Sequence, residues 1–190
     1  MIEDSGCPEL LLSFGMQISA GIKYAVPGIR SWELSPVFPG EQNMSLELTQ
    51  QEADSLLAME KKRVNDQQYL FSGINSSLRI PLRSQDGREE FSLDIYRGKI
   101  ELLKNTYQNR ARKTVVLARL DIGASPHRNP DGQEIDCPHL HLYREGHGDK
   151  WAFAVPHNFA NVSDAWQSLQ DFMNYCNITK KPDIQKGLLG

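Results

Sequence analysis

The middle of the chain alternates between apolar and polar residues with the period of two that is typical of strands. Short turn signals, Asp86-Gly87 and Arg97-Gly98, separate the first segments, so we expect consecutive antiparallel neighbours. Pro81 indicates that the first segment is an edge strand. The six segments that predict strands cover residues 77–83, 90–96, 99–108, 113–122, 137–143 and 151–155, with a Pro-, Asn-, Asp- and Gly-rich loop at about 123–136.

Helical patterns flank these segments. Thr49 and Glu52 form a capping-box pattern, which predicts a helix over about 49–63 with the cations of 61–63 in its last turn. Ser163 is expected to cap a second helix, whose apolar residues up to Cys176 recur at helical spacing. The order predicts an α+β fold. We expect a curved antiparallel meander of about six strands, covered on one face, with an N-terminal and a C-terminal helix.

The chain divides by pattern into three parts. Residues 1–43 keep no helical or strand period and predict a loose extension, 44–177 predict a single α+β domain, and 178–190 predict a polar tail. Neither a secretory signal nor an apolar run of about 18 residues is found, so we expect no membrane partner. The three cysteines form no CxxC pair, which favours a reducing, cytoplasmic location.

Charge is unevenly distributed along the chain. Residues 79–128 hold eleven Lys and Arg against six Asp and Glu, which suits an anionic partner such as RNA. The cations would contact phosphates, and Tyr107 would stack on a base. Solubilising charges at hairpin tips are the alternative. The predicted nucleic-acid-binding residues are Arg97, Lys99, Lys104, Tyr107, Arg110, Arg112 and Lys113.

All five histidines lie in the stretch from His127 to His157. In a strand, His139, His141 and Tyr143 point to one face, and Leu140 and Leu142 point to the other. Two imidazoles and a phenol on a surface backed by an apolar face can move protons or bind a metal. The half-exposed edge of an ordinary sheet gives the same pattern.

Strand 113–122 predicts a second row of functional groups. Val116, Ala118, Leu120 and Ile122 are expected on one face, and Arg119 and Asp121 on the other. If this strand neighbours the histidine strand, a carboxylate and a guanidinium flank the imidazoles, and loop residues close over them. The predicted catalytic residues are His139, His141, Tyr143, Arg119, Asp121, His127 and Arg128. An exposed Arg–Asp pair and a plain surface loop are the alternatives.

The same residues allow a metal site. His139 and His141, with His127 or Asp121 as the third ligand, suit zinc, iron or manganese. A His-x-His pattern on a strand is a weak signal, so the sequence by itself assigns no metal and no other cofactor.

These motifs together resemble a bacterial family of unknown function found in chromosomes and prophages. The resemblance covers about residues 46–176 and rests on the segments 93–99, 106–108, 119–122, 126–132, 138–146 and 150–152. It implies a small cytoplasmic protein of mobile-element or phage-conflict origin. The His139-x-His141-x-Tyr143 run is more weakly similar to the histidine-triad nucleotide hydrolases, but Tyr143 stands where that family has its third histidine. This departure argues against transferring their mechanism.

Three hypotheses of function follow. The leading one is an RNA-directed enzyme, a metal-independent endoribonuclease of toxin type. In it His139 and His141 act as base and acid, Arg119 and Arg128 hold the phosphate, and Tyr143 orients it. Its partners would be RNA and a cognate antitoxin. The second is a non-catalytic module that binds nucleic acid or a phage or host protein, and the third is a His-ligated metal-dependent hydrolase.

Overall fold

A computed structural model describes residues 47–71, 76–98 and 104–187 of the 190-residue chain. Within these ranges, no helix is both long and apolar enough to cross a membrane. The predicted extension at 1–43 lies outside the described residues. The elements are α1 (Gln50–Ala58), β1 (Lys61–Arg63), β2 (Gln68–Phe71), β3 (Ser76–Ser84), β4 (Glu90–Arg97), β5 (Asn105–Ala111), β6 (Val115–Ile122), β7 (His127–Arg128), β8 (Glu134–Ile135), β9 (His139–Arg144), β10 (Gly148–Ala154), α2 (Ala165–Tyr175), β11 (Ile178–Lys180) and β12 (Asp183–Lys186).

Eight strands form one sheet in the order β10-β9-β6-β5-β4-β3-β1-β11. All neighbours are antiparallel except β1 and β11. The predicted six-strand meander corresponds to β3, β4, β5, β6, β9 and β10, and the predicted α+β class is confirmed. Two small pairs complete the described structure, β12 with β2 and the hairpin β7–β8, which lies in the predicted loop 123–136.

One face of the sheet carries the hydrophobic core. Leu93, Tyr107, Leu120 and Leu140 belong to neighbouring strands, are almost completely buried and lie in one cluster with residues of both helices. Helix α2 contributes Phe172, whose ring lies 6.1 Å from that of Tyr107. Because side chains alternate along each strand, the opposite face carries the polar residues.

Helix α1 begins as predicted and ends earlier. The Thr49–Glu52 capping box is present, but the helix stops at Ala58 and Lys61–Arg63 is strand β1. The prediction that Lys61 lies in the last turn of this helix is therefore wrong. Its ammonium group is buried and donates to backbone carbonyls near the ends of both helices. Helix α2 is capped by Asp164, whose carboxylate accepts from two backbone N–H groups, and not by Ser163.

The predicted tail at 178–190 contains two strands. β11 pairs with β1 and β12 pairs with β2, both in parallel, and each of the two strands buries one isoleucine, Ile178 and Ile184. Pro81 had indicated that β3 is an edge strand, but part of β3 has a neighbouring strand on each side. Pairing with β1 covers its residues 82–84 and ends one residue before Pro81.

A bulge alters the face prediction for β6. Asn109 pairs with Ala118 and Arg110 with Val116, so Leu117 is an additional residue in the ladder. The bulge reverses the alternation, which buries Leu117 and Val115 in the core and leaves Val116 half-buried. The prediction of Val116 on the core face is wrong, whereas Ala118, Leu120 and Ile122 are buried as predicted.

Candidate metal centre

Strands β6 and β9 are neighbours, as the candidate site requires. Arg119 lies opposite His141, and Asp121 opposite His139. The intervening residues, Leu120 among them, point into the core and fix both strands by burial of their side chains. The alternation therefore brings a guanidinium, a carboxylate and two imidazoles together on the polar face.

Three of these groups lie at the separation of metal ligands. Asp121 Oδ2 is 3.3 Å from His141 Nε2 and 3.9 Å from His139 Nε2. All three ligand atoms lie within 4.8 Å of one another. Ligands about 2.1 Å from a tetrahedral zinc ion stand about 3.4 Å apart, so the observed distances are close to those of a first-row metal site.

A third imidazole joins the cluster from the hairpin β7–β8. The ring centre of His127 lies 4.6 Å from that of His141 and 5.8 Å from that of His139. Asn129 fixes the hairpin against the outer edge of β10, because its amide accepts from Ala152 N at 2.8 Å and donates to Ala152 O at 3.0 Å. The loop therefore holds His127 over the polar face, as the sequence predicted.

Each imidazole is fixed by a backbone carbonyl. His139 Nδ1 lies 3.3 Å from Asp136 O, His141 Nδ1 2.9 Å from Asp149 O, and His127 Nε2 2.9 Å from Lys150 O. A carbonyl only accepts, so the ring nitrogen that faces it must carry the proton. The other nitrogen of His127 and of His139 keeps its lone pair, whereas that of His141 accepts from Arg119 Nη2 at 3.0 Å. This is the tautomer arrangement of metal-binding histidines.

Arg119 completes the charge balance of the cluster. Its guanidinium lies 3.0 Å from Asp121 Oδ2 through Nε and 3.0 Å from His141 Nε2 through Nη2, and it also pairs with Asp149. Thr106 donates to the second oxygen of Asp121 at 2.8 Å. This network orients the carboxylate and holds a cation against the imidazole.

Protonation states favour ligand chemistry. Burial would raise the pKa of Asp121, but its contact with the His141 imidazole, the positive charge of Arg119 and the hydrogen bond from Thr106 together lower it to about 2. Burial, followed by the neighbouring His141, lowers the pKa of His139. An ionised carboxylate and a neutral imidazole are the forms that bind a metal.

Solvent reaches the cluster from one side. The side chains of His139 and His141 are 3% and 1% exposed, whereas those of Asp121, Arg119 and Asp149 are 15%, 25% and 31% exposed. The exposed part of the cluster therefore consists mainly of the guanidinium and the carboxylates. A large substrate would meet the guanidinium and the carboxylates first.

Residues 48–178 match the profile of a family of unknown function, DUF6978. The chain belongs to this family. No curated protein and no solved structure matches it. The matched range includes every residue of the candidate metal centre, and it confirms the resemblance to a family of unknown function. The bacterial and prophage origin remains a prediction.

Two predicted catalytic residues of the DUF6978 domain have other contacts. The Arg128 guanidinium donates to Glu134 at 3.0 Å and is 71% exposed, because successive residues of β7 point to opposite faces. Tyr143 is buried, and its hydroxyl accepts from Leu48 N and donates to Leu48 O, both at 2.8 Å. This phenol connects β9 to the start of α1 and has no free proton to offer a substrate.

We therefore expect Tyr143→Phe to act on stability alone. It leaves the N–H and the carbonyl of Leu48 without their buried partner, which costs about 2 kcal/mol of unfolding free energy. Chemical denaturation measures this loss, and metal titration of the same variant should give unchanged affinity. A folded variant that lost metal binding would instead assign Tyr143 to the centre.

The predicted nucleic-acid-binding residues do not form one surface. Tyr107 is 0% exposed and donates to Ala165 O, so the expectation that it stacks on a base is wrong. Arg97 is buried against the Phe71 ring and cannot reach a phosphate. The remaining cations are paired, peripheral or outside the described residues: Arg110 pairs with Asp94, Arg112 lies near Glu52 and Glu89, Lys104 is half-buried, Lys113 is exposed, and Lys99 is not described.

Asp149, Thr106 and Asn129 were missed by the sequence interpretation. Asp149 belongs to β10, which begins at Gly148, three residues before the predicted strand. It therefore falls in the connection between the predicted strands 137–143 and 151–155. Thr106 lies opposite Asp121 in the β5–β6 register, so correct strand pairing would have found it.

Proposed function

We propose that this DUF6978 domain is a metal-dependent hydrolase whose ion is held by His139, His141 and Asp121, with the imidazole of His127 beside them. The observation that carries the proposal is that each of the three rings directs one nitrogen to a backbone carbonyl. The metal ligands of proteins need such outer partners to fix tautomer and orientation. The 3.3 Å and 3.9 Å separations from Asp121 support the same conclusion.

The bound ion would act as a Lewis acid and lower the pKa of a bound water molecule. Arg119 lies at the solvent side of the cluster, where its guanidinium can bind an anionic substrate and balance charge that develops during hydrolysis. Asp121 and Asp149 hold it in that position. The partly exposed guanidinium of Arg119 favours phosphate or carboxylate esters over neutral substrates.

The test is a titration of the metal-free full chain with Zn²⁺, Mn²⁺ and Fe²⁺ by calorimetry, combined with hydrolysis of a chromogenic phosphodiester. We expect one ion per chain and activity that returns with the ion. Asp121→Asn should weaken binding at least about tenfold, because it removes the anionic ligand and keeps its shape. Absence of binding by all three ions would overturn the proposal.

Replacement of Arg119 is expected to strengthen metal binding, whereas replacement of a ligand weakens it. Its Nη2 lies 3.0 Å from His141 Nε2, the nitrogen that would face the ion, and its charge repels a cation. Arg119→Met is therefore expected to tighten Zn²⁺ binding about tenfold and to abolish hydrolysis. Calorimetry and the phosphodiester assay measure the two effects. Weaker metal binding in a folded variant would show that Arg119 mainly orients Asp121.

The metal-independent endoribonuclease is the second candidate. The Arg119–His141 contact supports it, because an imidazole between a guanidinium and the Asp121 carboxylate can exchange a proton beside a phosphate. RNA cleavage that persists in excess EDTA would favour this candidate. RNA cleavage that is lost on chelation and returns with the ion would favour the metal enzyme. Cleavage or growth arrest that persists in a His139→Ala/His141→Ala variant, expressed beside the parent, would contradict both candidates.

A further inference from the structure

An open groove of about 680 Å³ lies at the opposite end of the sheet from β9 and β10, where β3, β1 and β11 are neighbours. Of the described residues that line it, only Asp66 carries a carboxylate, and it pairs with Arg63 at 2.8 Å. The cations that line the groove are Lys62, Arg63, Arg83, Lys180 and Lys181.

Three of these cations form a row across the strands. Lys62 lies opposite Arg83 in β3 and opposite Lys180 in β11. Like charges directly opposite one another destabilise a sheet. The Lys62 ammonium donates to Gln85 O at 2.7 Å, and Arg83 and Lys180 are exposed. Strands about 4.8 Å apart make this row about 10 Å long.

Two further cations, Arg63 and Lys181, line the same groove. Arg63 is held by Asp66 and also donates to Lys181 O at 3.1 Å, which joins β1 to the segment after β11. Lysines on an edge strand often serve only to prevent edge-to-edge association. Here the positive charge extends to Arg83 on the inner strand β3, where protection of an edge does not require it.

We propose that this groove binds the phosphodiester backbone of single-stranded nucleic acid. Successive phosphates supply the repeated negative charge that a row of three cations needs, and a flexible single strand can follow an open groove. Among the described residues that line the groove none is aromatic, so binding is expected to be indifferent to base sequence. This inference goes beyond the proposed hydrolase, since backbone binding requires no ion in the metal centre.

The test is fluorescence anisotropy of labelled oligouridine and oligodeoxythymidine with the full chain over a range of salt concentrations. Arg83→Gln/Lys180→Gln should weaken binding about tenfold or more at low salt. It should also reduce the slope of log K against log salt by about 1.4, or about 0.7 for each lost phosphate contact. The unfolding midpoint should stay the same or rise, because repulsion in the row is relieved.

The matched control is Arg88→Gln/Lys186→Gln, which removes the same charge from two exposed residues that do not line the groove. We expect it to retain the parent's affinity and nearly its salt slope. An equal loss in the control would reduce the effect to net charge and overturn the proposal. Binding to anionic phosphatidylglycerol vesicles without binding to either oligonucleotide would also overturn it.

Discussion

His141→Ala is expected to reduce the affinity of the chain for Zn²⁺ by more than a hundredfold. His141 Nε2 lies 3.3 Å from Asp121 Oδ2 at the centre of the cluster, and its Nδ1 is fixed by Asp149 O. Loss of an outer-shell partner alone typically costs about 10- to 100-fold in metal affinity, so loss of a ligand should cost more. Calorimetric titration of the metal-free protein measures the difference.

A thermal readout separates lost binding from lost folding. The parent should gain about 4 kcal/mol of stability at a Zn²⁺ concentration a thousandfold above its dissociation constant, and the variant should gain almost nothing. His147→Ala is the matched control, since this imidazole lies against Trp151 at a ring distance of 5.9 Å and not in the cluster. Equal metal-induced stabilisation in parent and His141→Ala would contradict the ligand assignment.

The sequence predicts which residues form the candidate site better than it predicts what those residues do. Alternation alone places His139 and His141 on one face and Arg119 and Asp121 on another, and the observed pairing joins the two sets. The contribution of His127 depends on the hydrogen bonds of Asn129 to the edge of β10, which no local pattern reports. The carbonyl partners that fix the imidazole tautomers are likewise tertiary contacts.

The errors have physical causes of the same kind. The bulge at Leu117 reverses a face without any change in composition, so Val116 was placed in the core. The basic band was treated as a surface, but Arg97 is buried and Arg110 is paired, and tertiary burial decides both. The cations of the groove are distant in sequence, with Lys62 and Lys180 meeting only through the parallel pairing of β1 with β11.

Lys61 is the residue whose burial was least expected, and its replacement should produce a large pH-dependent change in stability. Its Nζ donates to Leu57 O, Met59 O and Cys176 O at 2.8 to 3.0 Å, and the side chain is 0% exposed. Burial lowers the pKa of Lys61 from its ordinary 10.5 to about 8. The ammonium form is therefore costly in the folded protein, although its carbonyl partners are well placed.

The sign of the pH dependence follows from proton binding. Between pH 8 and 10.5 the unfolded chain holds a proton on Lys61 that the folded chain has released, so the folded state gains stability as the pH rises. The gain is about 3 kcal/mol at most, at about 1.4 kcal/mol for each pH unit. Lys61→Met removes this dependence together with the hydrogen bonds to three carbonyls.

We therefore expect Lys61→Met to be nearly neutral at pH 7 and destabilising by about 3 kcal/mol at pH 10. At pH 7 the methionine removes a buried charge, which offsets the lost hydrogen bonds. At pH 10 the Lys61 side chain of the parent is neutral, so the parent no longer carries the cost of a buried charge. The variant then differs from it only by the lost hydrogen bonds. Denaturant unfolding at both pH values measures the difference in unfolding free energy. The control is Lys62→Met, because the half-buried Lys62 makes one such bond, to Gln85 O. A deficit that is equal at pH 7 and pH 10 would show that the carbonyls keep Lys61 charged throughout, and that the three hydrogen bonds outweigh its burial.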